Sequence, residues 1–136
     1  MVGITKGVEL GYGVTSPHGT EGYVRDLFIR DLLNAGTVAF DVTGNVGIYD
    51  TITTYNSAIG IRIVGAANMA QNLIPYGCTQ YGAYLQLTNV TDMELEAPGN
   101  SCVPLYLAGN ASIKGLSISL ANNTTISHLI ELSASA

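Results

Sequence analysis

At six places in the chain, large apolar residues stand two apart with a polar or aromatic residue between them. The triplets are Val8-Glu9-Leu10, Phe40-Asp41-Val42, Ile61-Arg62-Ile63, Leu85-Gln86-Leu87, Leu105-Tyr106-Leu107 and Ile130-Glu131-Leu132. Alternation of period two marks a strand with one buried face. After a longer first interval the triplets begin at 40, 61, 85, 105 and 130, steps of 21, 24, 20 and 25. Repeats of this length point to a solenoid, in which each unit buries its apolar face only by stacking on its neighbours.

A second strand per repeat is visible between the triplets. "VRDLFIRDLLNAGTVAFDV" reads against "IYDTITTYNSAIGIRIV", with Asp26 opposite Asp50, and "MAQNLIP", "MELEAPG" and "IKGLSIS" fall in corresponding places. Gly44-Asn45, Ala67-Asn68, Asn89, Pro98-Gly99-Asn100 and Gly109-Asn110 supply the corners, since most of these residues tolerate turn or left-handed backbone. Helix competes over one segment. Val24, Leu27, Phe28 and Leu32 have helical spacing, with Thr20 as N-cap and Gly36 as stop, but the match to 48–64 favours strand.

The expectation is therefore an all-β chain, one domain over 1–136: a parallel β-helix of about five to six coils. Stacked at the usual strand spacing, such coils make a rod about 25–30 Å long. Val42, Ile63, Leu87 and Leu107 should form one interior column, with the triplet centres pointing outward.

Composition narrows the function classes. Of 136 residues 11% are charged and 47% hydrophobic, with five Lys+Arg and a net charge of −5. The five basic residues are scattered, which excludes a nucleic-acid-binding surface, and no basic amphipathic stretch addresses a membrane. Residues 63–91 carry no charge, yet Asn68, Gln71, Asn72, Pro75 and Gln80 argue against a bilayer span. "MVGITKGVELGYG" lacks the apolar run of a signal peptide. Cys78 and Cys102 match no zinc or redox spacing; they precede adjacent triplets and are expected as two free thiols.

"VRDLFIRD…VAFDVTGN", "GIYDTITTYN…IGIRIVG" and the Asn-bearing turns resemble the pectin-lyase-like right-handed parallel β-helix superfamily over nearly the whole chain. Within it, the low charge, the Gly/Asn/Thr/Ser-rich turns and the short chain look most like the β-helical parts of bacteriophage tailspikes and related virion proteins. The resemblance implies a right-handed coil and a virion protein, a spike, fibre or capsid decoration, and the want of securely paired carboxylates and of a base in the sequence makes the expectation a non-enzymatic one. It would act as a homo-oligomer (a trimer by that family's habit) without a cofactor, on host-surface polysaccharide or other virion proteins. A polysaccharide lyase or glycosidase module is the alternative, and a bacterial surface adhesin a further one.

Superfamily members that cut polysaccharides use an outward ladder of side chains across several coils. Here that ladder is Glu9, Asp41, Arg62, Gln86, Tyr106 and Glu131, with neighbours about 5 Å apart. Glu9 and Asp41 are the pair whose spacing could suit a retaining glycosidase. Arg62 beside Asp41 more simply forms an ion pair, and makes Asp41 a poor general acid. The plain reading of the ladder is a solvated face with one salt bridge; its functional reading is a candidate carbohydrate-binding face, and no residue is assigned as catalytic.

Three carboxylates, Asp92, Glu94 and Glu96, share one strand face, but no Ca²⁺-loop signature accompanies them and they read as a solvated edge. His18 and His128 stand in no nucleophile motif. Eight tyrosines suit sugars and subunit contacts equally well. The N-x-[ST] matches at Asn89, Asn110, Asn122 and Asn123 read as corners. "SHLIELSASA" ends just after the sixth triplet, so Leu129, Ile130 and Leu132 are expected to be covered by another chain or by a longer parent.

Overall fold

A computed structural model describes residues 6–10, 22–32, 36–45, 47–96, 102–119 and 130–133. The described residues form seven strands and no helix: β1 (Lys6–Leu10), β2 (Gly22–Arg30), β3 (Val38–Thr43), β4 (Gly47–Glu96), β5 (Val103–Ala108), β6 (Ser112–Ser119) and β7 (Ile130–Ser133). Every pairing is parallel. β4 is a continuous ribbon of 50 residues. Its early part pairs with β2 and β3, and its later part with β5 and β6. A strand that pairs with its predecessors on one side and its successors on the other is winding. The fold is a parallel β-solenoid of about four turns.

That count is lower than the five to six read from the triplets. β1 and β7 are rungs, but the chain that would complete their coils, at 11–21 and 120–129, lies outside the described residues. Within the segment with helical spacing Gly22–Arg30 is strand, as the match to 48–64 favoured.

Each coil changes direction at stacked left-handed residues. Asp26, Thr51, Asn72 and Gly115 have φ of 54°, 54°, 53° and 78°, and Asp31, Asn56 and Gly77 have φ of 62°, 55° and 64°. The first set explains an apparent breach of alternation. Tyr49 and Ile52 are three apart, which on a straight strand puts them on opposite faces, yet both are buried. The bend at Thr51 resets the parity. The second set is tied rung to rung where Asn56 Nδ2 donates to Asp31 Oδ1 at 3.1 Å. Side chains of Asp and Asn tolerate this backbone better than most.

A further break runs through the triplet sheet. Pairing skips from Val38↔Ile59 to Phe40↔Ile61 and from Tyr81↔Val103 to Ala83↔Leu105, leaving Ala39, Gly60, Gly82 and Pro104 at the skipped positions. A Cβ on Gly60 would lie 2.7 Å from both the Gly82 carbonyl and Pro75 Cβ, so no side chain fits there.

The interior is filled from three arcs. Phe40, Val42, Ile61, Ile63, Ala83, Leu85 and Leu105 come from the triplet sheet, and Tyr49, Ile52, Ala70, Leu73, Val90 and Met93 from the other two. Phe40 and Tyr49 meet edge to face at 5.6 Å across it. One corner asparagine also points inward. Asn68 is fully buried, accepts from Gly47 N at 2.9 Å and donates to the carbonyls of Gly44 and Gly65 at 2.8 and 3.0 Å. It satisfies backbone groups that the corner would otherwise strand without partners.

The register corrects the sequence reading at two places. Leu105-Tyr106-Leu107 is level with Ala83-Tyr84-Leu85, two residues before Leu85-Gln86-Leu87. The interior column is Val42, Ile63, Leu85 and Leu107, and not the expected one, because Leu85 stands where Leu87 was placed. A two-residue slip preserves which face each side chain takes, so the alternation had concealed it. The partner of Asp50 is Arg25 rather than Asp26, because Asp26 occupies the bend that the register skips.

Candidate functional site

Five of the six proposed ladder residues fall into two level groups in the structure. Glu9 pairs with Asp41, Asp41 with Arg62, and Tyr106 with Glu131. The sixth, Gln86, does not belong: it is level with Ala108, and Tyr84 stands opposite Tyr106. Gln86 shares the face two residues further along the strand, in a neighbouring column with Val64 and Ala108.

The substitution changes the chemistry of the face. Tyr84 and Tyr106 are stacked, with ring centroids 4.7 Å apart and planes within 10°. Tyr81 crosses them at 71° and 62°, its centroid 6.2 Å from Tyr84 and 5.3 Å from Tyr106. All three are partly exposed. A stacked pair covers its inner ring faces and offers edges and hydroxyls outward, while Tyr81 turns its plane across the stack. Partial burial, followed by the nearby Glu131 carboxylate, holds the Tyr81 phenol above its usual value. Ile59 and Val103 border the cluster on one side and Val64 and Gln86 on the other, all half-buried. Arg62 and Glu131 stand at its two ends. Counted in rungs, the face from Arg62 to Glu131 is about 14 Å long.

Asp41 is closed off by Arg62, whose Nε donates to Oδ1 at 2.6 Å and Nη2 to Oδ2 at 2.7 Å. The carboxylate is fully buried and the guanidinium side chain is 34% exposed. This fork geometry is the strong form of the contact, and it commits the carboxylate to a structural partner. The side chain of Glu9 lies outside the described residues.

Polar groups elsewhere serve the corners. Asp50, little exposed, is contacted by Arg25 at 3.3 Å and accepts from Asn72 Nδ2 at 3.0 Å and Thr51 Oγ1 at 2.9 Å. Hydrogen bonds from Gln71 first, then Asn72, hold its carboxyl below the usual range. Glu94 is exposed and borders a groove with Asn72, Ile74, Met93, Gly115, Leu116 and Ser117, on a different arc from the tyrosines. The side chains of Asp92 and Glu96 lie outside the described residues, as do His18, His128 and Leu129. Among the described residues no group of His, Cys, Asp and Glu is placed to hold a metal ion.

Cys78 and Cys102 are buried and not joined by a disulfide, in keeping with the free thiols expected. Burial pushes Cys78 up to about 11 and Cys102 up to about 12. In the single chain Ile130 and Leu132 are exposed, Leu132 at 73%.

Sequence reasoning missed Tyr81 and Tyr84. The signal that would have found them is evenness of period: Phe40, Ile61, Ala83 and Leu105 step by 21, 22 and 22, whereas the triplet at 85 forces 24 and 20. No protein-family model, curated protein or solved structure matches this chain.

Proposed function

We propose that the chain is a non-enzymatic, carbohydrate-binding β-solenoid that attaches a larger particle to a polysaccharide-coated surface. The observation that carries this reading is the cluster of Tyr81, Tyr84 and Tyr106 across two adjacent rungs, ended by Arg62 and Glu131. Tyrosines combine apolar ring surface with hydroxyls, which matches the mixed apolar and hydroxyl faces of a sugar. Two rungs spaced as here are commensurate with about one to two sugar rings of a chain running along the solenoid axis. The engagement of Asp41 by Arg62 weighs against hydrolysis at the same ladder.

In the finer form of this proposal, the chain is a β-helical part of a bacteriophage tailspike or related virion protein of the pectin-lyase-like kind. It works on the virion as a homo-oligomer, a trimer, that covers Ile130 and Leu132. Support comes from the parallel solenoid, from the turn composition and from the apolar residues exposed on β7.

The test is an array of bacterial capsular and O-antigen polysaccharides probed with the labelled chain, followed by calorimetry on the best binder. Tyr81→Ala and Tyr106→Ala should each weaken binding at least about tenfold, equivalent to 1.4 kcal/mol. The bound polysaccharide should keep its length on incubation. Absence of any binder, or binding indifferent to both substitutions, refutes the reading; shortening of the polysaccharide transfers the case to an enzyme.

A further inference from the structure

Two pairs of tyrosines are stacked in the direction in which the coils stack. Tyr84 and Tyr106 lie 4.7 Å apart with planes 10° from parallel, and Tyr55 and Tyr76 lie 4.5 Å apart with planes 7° from parallel. In each pair the partners are one coil apart, at 22 and 21 residues' separation, so the contact joins two coils and not two residues of one strand. All four rings are partly exposed. The parallel register keeps them in contact without any conformational search. By contrast, Tyr81 meets Tyr84 and Tyr106 at steep angles, and Tyr49 is buried against Phe40.

We propose that Tyr84–Tyr106 and Tyr55–Tyr76 are oxidative cross-linking sites, at which a dityrosine bond staples one coil to the next. The oxidant class is a haem peroxidase working with hydrogen peroxide. Each phenol gives up one electron and one proton to become a tyrosyl radical. The two radicals join through ring carbons ortho to their oxygens, and loss of the ortho hydrogens to the phenoxyl oxygens restores both aromatic rings. Overall two phenols lose two hydrogen atoms, which reduce one peroxide to two waters, and one carbon–carbon bond is formed. Coupling between partners held in contact gains the large effective concentration of an intramolecular reaction, so it outruns coupling between chains. The parallel rings must twist out of their stack as the bond forms, and their partial exposure leaves space for that.

The competing thiols are sheltered. Both thiols are buried, and burial raises their pKa so that little thiolate, the form that oxidants attack, is present. The Tyr55–Tyr76 link is independent of what the tyrosine face binds, because that pair lies off the face, whereas Tyr84 and Tyr106 belong to it. Its consequence is a rod whose successive coils become covalently joined in an oxidising setting without rearranging the fold.

The experiment treats the folded chain at low concentration with a haem peroxidase and hydrogen peroxide, and follows dityrosine fluorescence and intact mass. Trypsin cuts after Arg62, between Tyr55 and Tyr76, and a glutamate-specific protease cuts after Glu94 and Glu96, between Tyr84 and Tyr106. The expected result is a single-chain product lighter by a pair of hydrogens per link. Peptides on either side of each cut should remain joined, and the thermal midpoint should rise. Tyr84→Phe should abolish the first link and Tyr76→Phe the second, each leaving the other intact. The same treatment in urea, where the stacks are lost, should reduce intrachain links severalfold. Links formed mainly between chains, links mapped mainly to other tyrosines, or a yield unchanged in urea would each overturn the proposal.

Discussion

Removing the guanidinium beside Asp41 tests the packing of the ladder. In Arg62→Ala the buried carboxylate loses charge-assisted hydrogen bonds of 2.6 and 2.7 Å, while its own burial is complete. Removing one partner of a buried ion pair costs about 3–5 kcal/mol, because the remaining charge is left desolvated. Arg62 is one third exposed, so water can enter the vacated space and recover part of that loss. The expected cost is therefore about 2–3 kcal/mol. Asp41→Asn in the same background removes the buried charge and should restore about 1 kcal/mol or more. The assay is urea unfolding at pH 7 followed by far-UV circular dichroism for wild type, both single variants and the double variant. The cycle isolates the coupling between the two side chains. A cost below about 0.5 kcal/mol for Arg62→Ala would mean that the pair behaves as a surface salt bridge. A double variant no more stable than Arg62→Ala would show that the carboxylate's charge is not the source of the loss. Either outcome refutes the reasoning.

Four further outcomes follow from the same structure. Ile63→Ala, at a fully buried position, should cost about 2–5 kcal/mol in urea unfolding. Thr54 buries a hydroxyl that has no hydrogen-bond partner, so Thr54→Val, of nearly the same shape, should stabilise the chain by about 1 kcal/mol, seen as a higher urea midpoint. Because hydrogen bonds depress the Asp50 carboxyl in the fold, its contribution is complete above the ordinary value of 3.8 and is lost as pH falls below it. Asp50→Asn should accordingly flatten the acid limb of a stability-against-pH curve. With both cysteines buried and raised, a chromogenic disulfide at pH 8 should find almost no thiol in the native chain and two after unfolding without reductant.

Much of the architecture is a local property of this chain. The triplets Phe40-Asp41-Val42 and Ile61-Arg62-Ile63 alternate apolar and polar over a period of about twenty residues, and only stacked parallel coils bury such a pattern. That reasoning reached the solenoid, the outward position of Arg62 and Tyr106, the ion pair of Asp41 with Arg62, and the strand at Gly22–Arg30 against its helical spacing. What it could not reach was the alignment of one coil on the next. Leu85-Gln86-Leu87 looks like a rung because both flanking residues are large, whereas the true rung begins at Ala83, whose methyl group carries little hydrophobic signal. A shift of two residues leaves every side chain on its own face, so nothing in the alternation objects. Only the stacked coils choose between the two registers, through close approaches such as that of the Gly60 and Gly82 backbones. That choice replaced Gln86 with Tyr84 and assembled the tyrosine face. The same holds for Arg25 and Asp50: left-handed residues at Asp26 and Thr51 turn both coils at one level, and a bend that consumes a residue is invisible to a count of apolar positions.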